Sequence, residues 1–188
     1  MKKVIVLVFI FCSFLMTAQE NIPYQKPSAA LLALADYQRA PSVSMDSKKE
    51  VMLFSYTNTY RTLEELKQKE MRLAGLRLNP VTRISTSLNY VINLKIRKVK
   101  ETASEPVQIT GLPVNPKISN LVWSPDDSKI AFTNTTATGV ELWVIDVATA
   151  SAARLTEAVL NCSLGDPFAW YSDSRKLLLK IVPRNLPP

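Results

Sequence analysis

The sequence predicts an all-β fold, and two observations support that prediction. The first is the stretch Leu121–Val147, where short runs rich in β-branched and aromatic residues are separated by polar turns. The second is recurrence, because Trp170 follows Trp123 by 47 residues and similar residues follow both tryptophans. Short strands repeating at such a spacing are typical of propeller blades. The pattern predicts an incomplete β-propeller of about two blades plus the start of a third, with short helical insertions near the N-terminus.

The turn after Trp123 is the clearest part of the repeat. Pro125 fixes φ in the segment Ser124–Ser128, and the Asp126 side chain can hydrogen-bond the local backbone. The matched pairs along the chain are Asp126 with Asp173, Lys129 with Lys176, Ile130 with Leu177, Leu94 with Leu142, and Ile109 with Leu155. The members of each pair lie 46 to 48 residues apart, which sets the period of the repeat.

The blade regions are a modified one at 42–112, a regular one at 117–157 and the opening of a third at 166–182. The modified region starts with a weaker copy of the turn, Ser44–Lys49, which lacks the tryptophan and is followed by the apolar run Val51–Tyr56. Thr62 and Glu65 form a capping box that predicts a helix ending by Arg72, before a turn at Gly75. This insertion explains why the regular spacing fails there.

Leu88–Val99 is predicted to be the best-defined strand, because its apolar and polar residues alternate. The residues expected on its apolar face are Leu88, Tyr90, Ile92, Leu94 and Ile96. Pro106–Leu112 and Ala153–Glu157 are predicted to form the outer strands of their blades.

Residues 1–18 are predicted to be a signal peptide, because Lys2 and Lys3 precede 13 mainly apolar residues and a small residue at Ala18. Such a run spans about 20 Å as a helix, less than the roughly 30 Å of a bilayer core. Cleavage after Gln19 is the open alternative. Residues 19–41 are expected to form an arm with a short helix from Ser28 to Ala40. We therefore expect an exported protein, periplasmic or extracellular, without a stable membrane anchor.

A family resemblance is carried by several segments. Trp123–Asp126, Lys129–Phe132 and Glu141–Thr149 resemble the Tol-B-type propeller repeat. Glu70–Pro80 and Gln19–Pro27 are similar to the N-terminal region of secreted prolyl oligopeptidase family serine peptidases, in the glutamyl endopeptidase-like branch. In that family a propeller caps a C-terminal α/β-hydrolase domain that carries the catalytic serine, aspartate and histidine.

The resemblance implies that residues 42–188 form a partial propeller that ends before the α/β-hydrolase domain. The implied partners are the peptide substrate of the parent enzyme and the C-terminal catalytic domain. Propellers close with about four to eight blades, or roughly 190 to 380 residues at this period, so the ring is expected to be open.

The sequence holds no histidine, so it cannot supply the imidazole base of a Ser-His-Asp triad. The four glycines, Gly75, Gly111, Gly139 and Gly165, form no Gly-x-Ser-x-Gly motif. The chain alone is therefore predicted to be inactive, with no catalytic, cofactor-binding or metal-binding residues assigned. Cys162 is the one cysteine after the leader, so no internal disulfide is expected. It is either a small buried hydrophobe or a reactive thiol.

Other candidate residues are better explained by structural roles than by functional ones. The neighbouring carboxylates are Asp126 with Asp127 and Glu64 with Glu65, and neighbours in sequence point in different directions. Asp126 and Asp173 are interpreted as turn formers. Trp123 and Trp170 suit a stacking platform for a ligand or packing between blades, and their recurrence favours packing.

The net charge is +7, and removal of Lys2 and Lys3 with the leader lowers it to +5. Lysines and arginines are mixed with acids along the chain, apart from the run Lys95–Lys100. This run fits a solvated strand face better than a phosphate-binding stripe, so no nucleic-acid partner is expected.

Three functional hypotheses follow. The chain is the N-terminal propeller fragment of an exported serine-type peptidase, gating or binding its substrate. Alternatively, it is a stand-alone exported Tol-B-like module that binds a protein partner. A third hypothesis is an oligomer in which several short chains complete one ring.

Overall fold

The structure, a computed structural model, describes residues 25–101 and 103–183, and antiparallel strands dominate these residues. The predicted signal peptide and residues 19–24 of the predicted arm lie outside the described residues. Helix α1 (Ala29–Ala35) belongs to a compact unit that ends at Tyr37, and every strand belongs to a second unit that begins at Gln38.

The second unit contains one short helix and twelve strands among its described residues. In chain order these are β1 (Ser42–Met45), β2 (Val51–Thr57), α2 (Leu63–Leu66), β3 (Met71–Leu73), β4 (Leu76–Leu78), β5 (Val91–Lys98), β6 (Val107–Gln108), β7 (Ile118–Trp123), β8 (Lys129–Thr135), β9 (Val140–Asp146), β10 (Ser151–Arg154), β11 (Phe168–Trp170) and β12 (Leu177–Leu179).

The strands fall into three arrays of hydrogen-bonded neighbours. The first array is β1-β2-β5-β6, the second is β7-β8-β9-β10, and the third is the β11–β12 hairpin. One pairing, Val91 with Ile118, joins the first two arrays into an eight-stranded sheet, and β3–β4 form a separate hairpin. All these strand pairs are antiparallel, and within the described part of the chain no sheet closes on itself. The all-β prediction is confirmed, and the number of blades stays a prediction.

Two apolar cores lie on opposite faces of the second array. Core 1 joins the first and second arrays through Leu53, Leu94, Ile96, Ile109, Ile118, Ile130, Phe132 and Ile145. Core 2 joins the second and third arrays through Ala131, Val140, Leu142, Leu160 and Phe168, with Ile84 from the insertion. Because successive side chains of a strand point to opposite faces, β8 gives Ile130 and Phe132 to core 1 and Ala131 to core 2. This explains why β8 is apolar on both faces.

Strand β5 begins later than predicted and carries a bulge. It starts at Val91 rather than Leu88, and the pairing with β2 shifts between Tyr56, opposite Asn93, and Thr57, opposite Val91. The shift skips Ile92, which is therefore exposed instead of joining Leu94 in core 1. The prediction that Ile92 shares the buried face is wrong for this reason.

The outer strands differ in extent from the predictions. The strand predicted at Pro106–Leu112 is only Val107–Gln108, which pairs with Lys95 and Ile96. The strand predicted at Ala153–Glu157 lies at Ser151–Arg154, because it pairs directly across the tight turn that follows Asp146.

Both helices are present but shorter than predicted. The Ser28 cap and the Thr62–Glu65 capping box form as expected. Helix α1 ends at Ala35 instead of Ala40, since it buries no residue that would stabilise further turns. Helix α2 ends at Leu66 instead of Arg72. Across residues 25–101 and 103–183, no helix has the length and apolar character needed to span a membrane.

The segment predicted to end helix α2 is instead the β3–β4 hairpin. Its two turn residues, Ala74 and Gly75, have φ values of 45° and 89°. Positive φ at both positions is the geometry of the two-residue turn that joins hairpin strands. The hairpin explains why Met71–Leu73 is extended rather than helical.

We expect Phe132→Ala to lower the free energy of unfolding by about 3–5 kcal/mol, because it removes a fully buried ring and leaves a cavity. Phe132 is stacked on Trp143 with ring centroids 6.2 Å apart. Urea unfolding followed by tryptophan fluorescence measures the change. Val114→Ala is the control, since Val114 is 92% exposed, and we expect a change within about 0.5 kcal/mol. Equal losses in the two variants would contradict the position of core 1.

Candidate functional site

Three tight turns with the same backbone geometry lie at the starts of β2, β8 and β12. In each, the first residue donates its N–H to the carbonyl five positions later: Asp46 to Val51, Ser124 to Lys129, and Tyr171 to Lys176, at 3.2, 2.8 and 3.0 Å. The fourth residue has positive φ in all three, at Lys49, Asp127 and Ser174. We call residues 46–51, 124–129 and 171–176 the turn row.

The geometry of the turn row aligns the three arrays residue by residue. It places Asp46 in the position of Ser124 rather than that of Asp126, and Met45 in the position of Trp123 and Trp170. The recurrence predicted from the sequence therefore extends to the first array, with a methionine where the tryptophan is missing.

Side chains link each turn to the next. Ser47 donates its backbone N–H to Asp127 Oδ1 at 3.2 Å and its hydroxyl to the same carboxylate. Asp126 donates its backbone N–H to Ser174 Oγ at 3.1 Å. In both contacts the residue with positive φ accepts a hydrogen bond from the preceding turn. The three arrays are thus tied at this end by polar contacts in addition to the two cores.

Asp126 is held as a carboxylate by its own turn. It accepts hydrogen bonds from Ser124 Oγ at 2.7 Å, Ser128 N at 3.1 Å and Ser128 Oγ at 2.8 Å. The Ser124 bond, followed by those of Ser128, holds the pKa of Asp126 well below its usual range. Because Asp127 binds Ser47, the two neighbouring carboxylates have separate partners and do not form a facing pair. Asp173 likewise accepts bonds from Arg175 N and Lys176 N within its turn.

The two repeat tryptophans lie against the cores. Trp123 is partly buried against core 1, and Trp170 packs on core 2 while its Nε1 donates to Val122 O at 3.2 Å. Both positions place the indole between arrays, in agreement with the packing interpretation. Cys162 is half-buried against core 2, and burial raises the pKa of its thiol to about 11. A thiol that stays protonated at neutral pH favours the interpretation of Cys162 as a small hydrophobe.

A groove of about 530 Å³ opens beside the turn row, between the first and second arrays. Its apolar lining is Val51, Ile96, Val107, Val147, Ala148 and Ala150. Arg97 borders it on the first array together with Lys98 and Glu101, which form an ion pair at 3.6 Å, and Asp146 borders it on the second. Hydrogen bonds from Thr149, first from its backbone N–H, lower the pKa of Asp146 and keep it ionised. The groove can accept an apolar side chain flanked by groups of both charges.

The polar groups of the groove are suited to binding. Its hydroxyl groups belong to Ser128 and Thr149, which donate hydrogen bonds to the carboxylates of Asp126 and Asp146. Hydrogen bonding lowers the pKa of both acids, so these carboxylates are weak bases. Among the residues described, no three histidine, cysteine, aspartate or glutamate side chains cluster closely enough to hold a metal ion.

The structure reveals two carboxylates that sequence reasoning missed. Glu70 accepts hydrogen bonds from Thr86 at 2.6 Å, Arg72 at 2.7 Å and Arg77 at 3.0 Å. The Thr86 bond, then that of Arg72, lowers the pKa of Glu70 to about 2. The alternation of charges around the Ala74–Gly75 turn was the available sequence signal, but it needed the hairpin to be recognised.

Glu141 is the second of these carboxylates and is buried in strand β9. Its burial acts to raise its pKa, but hydrogen bonds from Trp143 Nε1 at 2.8 Å, Asn134 Nδ2 at 3.1 Å and Arg154 at 3.2 Å outweigh burial and lower it. These partners lie on β8, β9 and β10, so Glu141 ties three strands of the second array together.

No protein-family model matches the chain. The chain is 26% identical over 176 residues to the probable chloroplastic glutamyl endopeptidase of Arabidopsis thaliana, covering 88% of this chain and 18% of that protein. It is 25% identical over 177 residues to the protein of the same description from Oryza sativa subsp. japonica, covering 88% and 19%. The chain thus spans about a fifth of the length of the curated relatives it matches.

Among solved structures, the chain resembles the Pyrococcus horikoshii acylaminoacyl peptidase with a TM-score of 0.40 and 18% identity, over 77% of this chain and 17% of that one. The sequence similarity to the two plant proteins supports a distant relation to peptidases.

We expect Ser174→Ala to destabilise the protein by about 1–2 kcal/mol, because it leaves the Asp126 N–H without its acceptor in a partly buried position. Ser172→Ala, in the same turn but exposed, is the matched control and should change stability by less than about 0.5 kcal/mol. Thermal unfolding of both variants compares them. Indistinguishable melting temperatures would show that the contact between the second and third turns contributes nothing.

The Glu70 cluster should make stability depend on pH. The pKa of Glu70 is lowered from 4.5 to about 2, so its contribution is complete above pH 4.5 and is lost as pH falls towards 2. We expect Glu70→Gln to melt below the wild type at pH 7 and to converge with it near pH 2. The exposed residue Glu105 provides the control Glu105→Gln, whose melting temperature should follow that of the wild type throughout. A gap between Glu70→Gln and the wild type that stays constant with pH would contradict the assignment.

Proposed function

We propose that this chain is the N-terminal propeller portion of an exported serine-type peptidase, and that it binds and gates peptide substrates for a catalytic domain carried by the rest of the parent protein. The observation behind the proposal is the similarity to the two plant glutamyl endopeptidases, which extends over 88% of this chain and only about a fifth of theirs. A segment with this relation is expected to supply part of an enzyme rather than its whole chemistry.

The arrangement of the arrays supports the propeller part of the proposal. Two four-stranded antiparallel arrays and a β11–β12 hairpin follow one another, and the turn row relates all three by the same hydrogen bonds. Each array packs on the next through one face, as blades do in a propeller. In this proposal the arrays are two blades and the start of a third.

The groove beside the turn row is the proposed contact with substrate. Its apolar lining suits a hydrophobic side chain of a peptide, and the charged groups Lys98, Glu101 and Asp146 suit polar groups of the peptide beside that side chain. Gating requires only that the chain bind some peptides and exclude others, so it is compatible with a chain that lacks histidine. The apolar leader at residues 1–18 supports export.

The test begins with the DNA that follows the codon for Pro188. We expect a longer reading frame, directly or after a frameshift, that encodes further strand repeats and then a Gly-x-Ser-x-Gly motif. A stop codon in a verified genomic sequence, with no such motif downstream, would overturn the proposal and favour the stand-alone module that binds a protein partner.

We expect the purified 188-residue chain to hydrolyse no peptide amide, because it cannot assemble a Ser-His-Asp triad. The product of the longer frame should hydrolyse peptides that contain glutamate and should be blocked by a serine-directed phosphonate. Its variant with alanine at the motif serine is the matched control. Inhibitor-sensitive hydrolysis by the pure 188-residue chain would contradict the prediction.

A further inference from the structure

The second array has both faces covered, whereas the first and third arrays each leave one face uncovered among the described residues. Core 1 lies between the first and second arrays, and core 2 lies between the second and third arrays. As the pairings of β1, β2, β5 and β6 place them, the residues on the opposite face of the first array are Val43, Met45, Met52, Phe54, Tyr56, Asn93, Lys95, Arg97 and Gln108. We call this set the open face. Val43 and Met45 on it are 49% and 48% exposed.

The turn row shows what the open face corresponds to in the second array. The strands β2 and β8 begin at equivalent residues, Val51 and Lys129, and these pair with Lys98 and Asp146 in the next strand. Counting along the strands from these pairs gives three equivalent positions: Phe54 with Phe132, Lys95 with Trp143, and Arg97 with Ile145. Phe132 and Ile145 belong to core 1, and Trp143 packs on it, so this set faces the preceding array. By the same geometry, the open face is the surface on which an array preceding the first one would pack.

The open face differs from its counterpart in charge. Lys95 Nζ lies 5.5 Å from the centre of the Tyr56 ring, and the Arg97 guanidinium lies 5.4 Å from that of Phe54. Of the guanidinium donors, the Arg97 NH1 group binds Ser104 O at 3.1 Å, while Nε is buried and has no hydrogen-bond partner within the described residues. Two cations therefore stand where the second array presents an indole and an isoleucine.

The turn of the first array also carries a positive charge where the other two turns carry a hydrogen-bond acceptor. At the positive-φ position, Asp127 and Ser174 each accept a hydrogen bond from the preceding turn, but the corresponding residue of the first array is Lys49. An ammonium group can donate hydrogen bonds and cannot accept them. A partner on this side must therefore supply acceptors at the turn as well as along the strands.

We propose that the open face docks a β-sheet array that bears carboxylates opposite Lys49, Lys95 and Arg97, together with apolar side chains opposite Phe54 and Tyr56. Carboxylates are the acceptors that neutralise ammonium and guanidinium groups in a partly desolvated interface. The inference shares with the proposed function the premise that more arrays exist, but it does not depend on peptidase activity.

A second copy of the chain is not the natural occupant of the open face. The uncovered face of the third array carries Lys176, Leu178 and Lys180, since exposed residues alternate there with the partly buried Leu177 and Leu179. Lys176 lies 3.9 Å from Asp173, and Lys180 Nζ donates to Leu164 O at 2.9 Å. Head-to-tail contact between copies would bring both lysines to the face that carries Lys95 and Arg97. Like charges in contact oppose such an assembly, so the wild-type chain is expected to stay monomeric.

Charge reversal in the full chain tests the proposal, because it turns the third array into an acidic sheet face of known composition. Lys176→Glu/Lys180→Glu should assemble head to tail, with association at roughly 0.1–1 mM as expected for a small interface. Lys95→Glu/Arg97→Glu should assemble in the same way, with the charges exchanged. The four-fold variant has two acidic faces and should return to the monomer. Sedimentation velocity measures all of these.

Salt and a matched variant complete the design. Assembly should be present at about 0.01 M salt and lost at about 1 M salt, where charges are screened within about 3 Å. Lys67→Glu/Lys69→Glu makes the same change in net charge on another exposed surface and should remain monomeric. If substitution of Lys95 and Arg97 prevents folding, the Lys176→Glu/Lys180→Glu variant alone tests the proposal, since it leaves the open face intact.

Monomers in both two-fold variants would overturn the proposal. Assembly of the wild type, of the four-fold variant or of the Lys67/Lys69 control would overturn it too, because the open face and its charge would then not select the partner. None of these results bears on the reading frame after Pro188, so this inference and the proposed function can fail separately.

Discussion

Burial of the β8–β9 pair on both of its faces is the constraint on which the structure depends. Ile130, Phe132 and Ile145 are removed from water by the first array, and Ala131 and Leu142 by the third. Burial of one such side chain contributes about 1.5–3 kcal/mol, so each flanking array is held mainly by the apolar surface it covers. The flanking arrays need only one apolar face each, which leaves their other faces free to carry charge.

Polar contacts fix how the arrays sit once the cores have formed. Ser47 with Asp127 and Asp126 with Ser174 connect the turn row at one end, where sliding of one array past its neighbour would break the contact between those two arrays. Inside the second array, Glu141 receives hydrogen bonds from three strands, and a buried carboxylate with three donors is tolerated where an unpaired one is not. Apolar burial thus sets which faces meet, and hydrogen bonds set their register.

The parts of the fold that depend on local sequence were predictable. The turns after Met45, Trp123 and Trp170, the strands that follow them and the Thr62–Glu65 capping box depend on residues a few positions apart. The exposure of Ile92 was not predictable, because the bulge that causes it depends on how Thr57 pairs across the sheet. The β3–β4 hairpin was missed because Ala74, a good helix former, adopts positive φ there.

The groove of the candidate site was not predictable from the sequence. The lack of histidine is a property of the sequence, but the groove is formed by segments near Val51, Arg97 and Val147, which folding brings together. The bond between Ser47 and Asp127 joins residues 80 positions apart, beyond the reach of a repeat analysis that treats each turn alone. The Glu70 and Glu141 clusters likewise need the strand pairings before their partners can be named.

Backbone pairing between the first and second arrays is limited to Val91 with Ile118 and the short Thr110–Ser151 bridge, and this has a consequence for inheritance. Because neighbouring arrays share few backbone hydrogen bonds, recombination in the gene can duplicate or delete a whole array. Few backbone amides and carbonyls then lose their hydrogen-bond partners. Only the side chains at the new junction must then adapt. Limited backbone pairing between arrays therefore permits evolution by duplication of whole arrays, followed by divergence at the surfaces where arrays meet.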